Sequence, residues 1–176
     1  MINKVFVLFG VVVLSVVIAS AYGAIHNQIT YSISEEYFTK LKFNQFGLWN
    51  GAFGNNGFKK SAFVGVLATW WFGAIIGLII GILTIFIFNF NKKLKIILKQ
   101  VFLVLVFAVL AGIIGFLVGK LFINDLGMNS NFISNLDDPK AFVIAGSIHN
   151  FSYLGGLVGL FYSVFHLFKL NKVKFN

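Results

Sequence analysis

Four apolar stretches, residues 5–25, 61–90, 96–122 and 141–168, fill most of the 176-residue chain, and every charged residue lies between them or at their ends. About 20 apolar residues suffice to carry a helix across the hydrocarbon core of a bilayer. With 59% of residues hydrophobic and 11% charged, against about 25% charged in an average soluble domain, the chain has too little polar surface to enclose these runs in water. The pattern predicts an all-α, polytopic membrane protein: four transmembrane helices in an antiparallel bundle, one domain over 1–176. The outer loops are expected at 26–60 and 123–140, the first of them ordered.

The net charge of +9 does not point to nucleic acid. All fourteen basic residues are lysines, and without arginine the bidentate reading of phosphate or guanine is missing. Topology accounts for them better. Lys4, Lys92, Lys93, Lys95, Lys99, Lys169, Lys172 and Lys174 flank one side of the four spans with no acid among them. Lys40, Lys42, Lys59, Lys60, Lys120 and Lys140 share the other side with Glu35, Glu36, Asp125, Asp137 and Asp138. The positive-inside rule then predicts cytoplasmic termini, with the bilayer as the first partner. The chain has no cysteine, which excludes disulfides, thiolate metal sites and a cysteine nucleophile.

Lys4, an apolar run and Ala19-Ser20-Ala21 also have the form of a secretory signal, but a run of about 20 residues is long for a signal core, so span one is read as a retained anchor. Beyond it, alternating Ile29, Tyr31 and Ile33 suit a short strand, and Ser34 ahead of Glu35-Glu36-Tyr37-Phe38 suits a helix cap. Phe43, Phe46, Trp49, Phe53 and Phe58 are too many aromatics for a solvated loop and, with Leu48, predict packing at the membrane interface or on the bundle. A short turn at Asn91–Lys95 makes spans two and three a hairpin, and Pro139 suits the first turn of span four. Gly73, Gly77 and Gly81 in span two, Ala111, Gly115 and Gly119 in span three, and Ser152, Gly155, Gly156 and Gly159 in span four form small-residue faces that predict close helix packing.

Polar side chains inside a span are costly and tend to face a bundle interior or cavity. Span four carries Ser147, His149, Asn150, Ser152 and Tyr153, with His149 about 12 Å below its outer end at 1.5 Å per residue. Thr69 and Trp70 lie at matching depth in span two, His26, Asn27 and Gln28 follow span one, and Lys120 ends span three on the same side. Together with Glu36 these predict an outward-facing polar pocket. His26 and His149 with Glu36 or Glu35 would make a two-histidine, one-carboxylate set suited to a divalent metal. A bland account stands beside it, with His149 hydrogen-bonded to a neighbouring helix and His26 capping span one. His166 is expected at the cytoplasmic interface. There is no Walker loop and no Gly-x-Ser-x-Gly elbow, and no Asp or Glu lies within a span, which argues against a carboxylate proton relay. Asn150-Phe151-Ser152 has the form of a glycosylation acceptor but lies inside span four.

The strings His26-Asn27-Gln28-Ile29-Thr30, Glu36-Tyr37-Phe38-Thr39, Ala68-Thr69-Trp70-Trp71 and His149-Asn150-Phe151-Ser152-Tyr153-Leu154-Gly155-Gly156 resemble segments of small uncharacterised four-span bacterial membrane proteins. Those have an H-(D/N)-Q-(I/V)-T segment after the first helix and a later H-N-x-S-Y-L-G-G segment. Asn27 stands where an aspartate is expected, so no role for that carboxylate transfers. The resemblance implies a bacterial inner-membrane location and no particular activity. The leading expectation is a pocket for a small ligand, lipid or partner helix, in an oligomer or membrane complex. The alternatives are a membrane-embedded metal enzyme using His26, His149 and Glu35 or Glu36, and a small oligomeric channel or transporter.

Overall fold

A computed structural model describes residues 4–48, 53–87, 93–121 and 135–172, and among them every regular element is helical. Trp49, the start of the turn expected at Asn91–Lys95 and most of the outer loop expected at 123–140 lie outside the described residues. Helix α1 runs Lys4–Ile33, a π-helical stretch Tyr37–Lys42 leads into the short α2 at Phe43–Gln45, and α3 runs Gly57–Ile87, α4 Lys93–Leu121 and α5 Pro139–Lys172. The four long helices are each long and apolar enough to cross a membrane.

The end of the first helix differs from the sequence reading. The first helix does not stop at residue 25 but continues to Ile33, so Ile29, Tyr31 and Ile33 form no strand. Hydroxyls hold these last turns in register: Thr30 Oγ1 donates to the His26 carbonyl at 3.1 Å, and Ser32 Oγ donates to the Gln28 carbonyl at 3.0 Å. A lone strand here would leave its backbone groups without partners, whereas a helix satisfies them locally. Ser34 then breaks the helix and accepts from Tyr37 N–H at 3.2 Å, starting the next helical segment. At its far end Gly47 takes φ +67°, a left-handed residue that lets Leu48 N–H reach back to the Phe43 carbonyl at 2.8 Å. Helix α5 opens on Pro139, with Asp138 Oδ1 accepting from Ala141 N–H at 3.0 Å.

The long helices associate as two tight antiparallel pairs, α1 with α3 and α4 with α5, and the pairs touch each other more sparsely. Glycines set the close approach. Along α3, Gly65, Gly73, Gly77 and Gly81 face Gly23, Ala19, Val12 and Leu8 of α1 in turn, the descending order that antiparallel packing requires. Along α4, Gly112, Gly115 and Gly119 face Ser152, Ser147 and Ile144 of α5, while Gly155 and Gly159 face back onto Ala108 and Val104. Such faces let backbones meet where a larger side chain would hold them apart. Gly156 belongs to neither seam: it faces Phe72 of α3, across the divide between the pairs.

Two apolar clusters join the pairs. The inner one unites Val11, Ile76, Ile80, Ile97, Val101, Val104, Leu160 and Leu167. Near it Gln100, fully buried, meets His166 Nδ1 through its side-chain amide at 3.1 and 3.3 Å, clipping α4 to α5 and giving His166 a bonded partner. The outer cluster is built from the segment between α1 and α3: Tyr37, fully buried Phe38, Phe43 and Leu48 pack on Tyr31, Val64, Phe142 and Ala145. This segment is therefore a plug over one end of the helices. The outward helix faces are apolar, with Phe6, Phe86, Phe102, Phe161 and Phe165 exposed.

Candidate functional site

A histidine pair joins the two helix pairs. On α1, Tyr22, His26 and Thr30 follow at four-residue spacing and so share one face. Across from them α5 presents His149. The His26 and His149 rings meet edge to face with centroids 4.7 Å apart, and Thr30 Oγ1 lies 3.1 Å from His149 Nε2. Because the Thr30 hydroxyl donates to the His26 carbonyl, its oxygen accepts from His149 Nε2–H. A neutral His149 then keeps Nδ1 as its acceptor.

The plug completes the enclosure. Tyr37 stacks on His149 with centroids 5.1 Å apart, and Phe38 touches the same ring at 6.0 Å. A π-helical turn widens the backbone at this point, a feature frequent at functional sites. The plug is pinned from the other side by Glu36, whose two carboxylate oxygens accept from Asp137 N–H at 3.1 Å and Asp138 N–H at 2.8 Å. Those bonds, that from Asp138 first, hold its carboxyl below the ordinary glutamate range.

Below the histidines the divide opens into a cavity of about 70 Å³. Its outer end is polar, lined by Tyr22, His26, Asn27, Thr69, His149 and Ser152, and its inner end is apolar, lined by Phe72, Ile76, Val101 and Val104. At ~10–15 Å³ per water this admits several waters or one small molecule, and it is far smaller than the ~300–1,000 Å³ of a drug-sized site. Most lining polar groups are committed. Asn27 Nδ2 donates to the Ser61 carbonyl at 2.9 Å, and Thr69 Oγ1 lies 2.8 Å from both the Ala19 and the Gly65 carbonyl. His26 and Ser152 are the exceptions, Ser152 Oγ being buried with no hydrogen-bond partner among the described residues. Tyr22 Oη lies 3.3 Å from His26 Nδ1, while His26 Nε2 is buried with no hydrogen-bond partner among the described residues. With the Tyr22 hydroxyl donating to Nδ1, a neutral His26 carries its proton on Nε2, a buried donor free for use.

No family model, curated protein or solved structure matches the chain. Of the pocket residues expected from sequence, His26, Asn27, Thr69, His149, Ser152 and Tyr153 line the cavity. Gln28, Glu36, Trp70, Lys120 and Asn150 do not. Trp70 and Asn150 each follow a cavity residue by one position, and the ~100° helical step turns both outward to exposed positions. Lys120 is exposed at the end of α4, and Gln28 Nε2 is spent on the Phe58 carbonyl and Ser61 Oγ at 2.8 and 3.0 Å.

The expected metal set divides in the same way. His26 and His149 meet, but Glu36 is tied to the start of α5 and Glu35 accepts from Tyr31 Oη at 2.7 Å. Among the described residues no three His, Cys, Asp or Glu side chains group together, so these residues bring two imidazoles where a zinc site uses three or four ligands. Thr30, Tyr22 and Tyr37 escaped the sequence reading of the pocket. The Tyr22, His26, Thr30 spacing was a usable signal, hidden by ending the first span at residue 25.

Proposed function

We propose that this chain is a multi-pass inner-membrane protein that binds a small uncharged molecule carrying a hydrogen-bond acceptor in the cavity between its two helix pairs. The observation that carries this reading is the buried His26 Nε2, which has no hydrogen-bond partner among the described residues and is a donor in the tautomer that accepts from Tyr22, beside a cavity whose described lining is uncharged. A buried donor without a partner costs about 1–3 kcal/mol, so an acceptor supplied by a ligand binds where the described residues supply none. The apolar inner end suits the remainder of the molecule.

His26→Phe keeps an aromatic ring against His149 and removes both nitrogens. Solvent extraction and mass spectrometry of protein purified in native lipid discs should find a near-stoichiometric small molecule with the wild type. The variant should retain about tenfold less, the ratio expected from an acceptor buried without its donor. Identical extracts from the two proteins would overturn the reading. A second reading, a metal centre on the two imidazoles, draws on the 4.7 Å ring separation. Elemental analysis of the same preparations decides it, since a resident metal would accompany the wild type and leave with His26→Phe.

The orientation follows the lysine distribution, with both termini cytoplasmic and the plug outside. Cysteine introduced at the exposed Asn55 should react with an impermeant thiol reagent in intact cells, and cysteine at Asn171 should react only after lysis. The reverse pattern would invert the topology.

A further inference from the structure

A second concavity, of about 760 Å³, runs down the outer surface between α3 and α5. Leu67, Trp71 and Ile79 of α3 and Leu157 and Phe161 of α5 line it, and Lys42 with Gln45 closes one end. Lys42 is the one charged residue among the described residues that line it. Lys42 Nζ donates to Gln45 Oε1 at 3.1 Å and sits 5.5 Å above the centre of the Tyr37 ring. No carboxylate among the described residues pairs with it: Glu35 is bonded to Tyr31, and Glu36 to the backbone of Asp137 and Asp138. Burial draws the Lys42 pKa below the ordinary lysine value, with no acid to hold it up. The groove thus carries a partly desolvated cation at its head and hydrocarbon along its length.

The dimensions favour one kind of occupant. From Leu67 to Ile79 the helix rises roughly 18 Å at 1.5 Å per residue, close to the ~15 Å of hydrocarbon in one leaflet, half of a ~30 Å core. We propose that the groove is a selective site for an anionic phospholipid of the leaflet on the Lys42 side, with its phosphate at Lys42 and Gln45 and one acyl chain laid along Trp71 toward Phe161. A zwitterionic lipid would bring the same chain but no net charge to match the lysine. Ala68, Phe72 and Tyr153 line both the groove and the histidine cavity, so the lipid would lie against the outer wall of that cavity. The site does not depend on what the cavity holds.

Trp71 lines the groove and its neighbour Trp70 does not, which gives a reporter and a control one residue apart. The full chain carries three tryptophans, so Trp49→Phe with Trp70→Phe isolates Trp71, and Trp49→Phe with Trp71→Phe isolates Trp70. Each is placed in phosphatidylcholine nanodiscs doped with dibrominated phosphatidylglycerol or dibrominated phosphatidylcholine, and bromine quenching is read as a relative affinity. Trp71 should favour phosphatidylglycerol by about fivefold, as expected for one interfacial lysine, while Trp70 shows a ratio near one. Lys42→Gln should bring the Trp71 ratio to one and Lys42→Arg should preserve it. Equal quenching of wild-type Trp71 by the two lipids, an equal preference at Trp70, or a preference surviving Lys42→Gln would each overturn the proposal.

Discussion

Leucine in place of Gly65 is expected to break the α1–α3 pair, costing more than about 3 kcal/mol and removing a cooperative unfolding transition in detergent. A Cβ at Gly65 meets the Gly23 carbonyl group and comes within 2.7 Å of Ala24 N, so the obstacle is backbone of the facing helix. Overpacking against side chains costs about 1–3 kcal/mol because rotamers yield. Here no rotamer yields, and α1 must move away along the seam that Gly73 and Gly77 also form. Gly23→Leu should behave alike, and the double variant should cost less than the two together, because one separation of the helices relieves both clashes. Gly10→Leu is the control: on the same helix, a Cβ there meets nothing within 4 Å, and the melting profile should match the wild type. A wild-type profile for Gly65→Leu would mean that these helices do not meet at Gly23.

His149→Ala should lower stability by about 2–4 kcal/mol. It removes an interhelical hydrogen bond with Thr30, worth about 0.6–1.7 kcal/mol in membranes. It also removes ring contacts with His26 and Tyr37, each worth about 0.5–1.5 kcal/mol, and leaves the plug resting on a void. Thr30→Val keeps the ring contacts and deletes the bond to His149 together with the hydroxyl's bond to the His26 carbonyl, and should cost about 1 kcal/mol, and His149→Phe should fall nearer to Thr30→Val than to His149→Ala. Unfolding midpoints of the three variants in one detergent order them. A His149→Ala midpoint no lower than that of Thr30→Val would show that the ring contacts contribute nothing.

The four helices were legible because their signal is local and repeated: long apolar runs bounded by lysines need no knowledge of their neighbours. The spacing of Gly73, Gly77 and Gly81 likewise shows on the sequence that they share a face. The end of α1 was not legible in this way. Ile29, Tyr31 and Ile33 alternate as a strand would, and what decides against a strand is the Thr30 and Ser32 hydroxyls bonding one turn back and the absence, among the described residues, of a partner strand. Extending the helix by two turns moves His26 and Thr30 from a loop onto one rigid face, and the site depends on that change.

The helical class, the number of long apolar helices and the lysine asymmetry each follow from residue type and order along one segment. Counting residues at 1.5 Å apiece also put Thr69 and Trp70 at the depth of His149, while His26 and Asn27 were expected beyond the end of the first span. Which of the pocket candidates meet depends on how the helices pack. The rotation of α5 turns His149 inward and Asn150 outward, the Gly23–Gly65 contact fixes where α1 sits on α3, and the plug brings Tyr37 onto His149 while Glu36 goes to the start of α5. These are relations between segments more than a hundred residues apart in some cases, such as Thr30 and His149, 119 positions apart. They are set by how surfaces fit around each other, which no local pattern along the chain encodes.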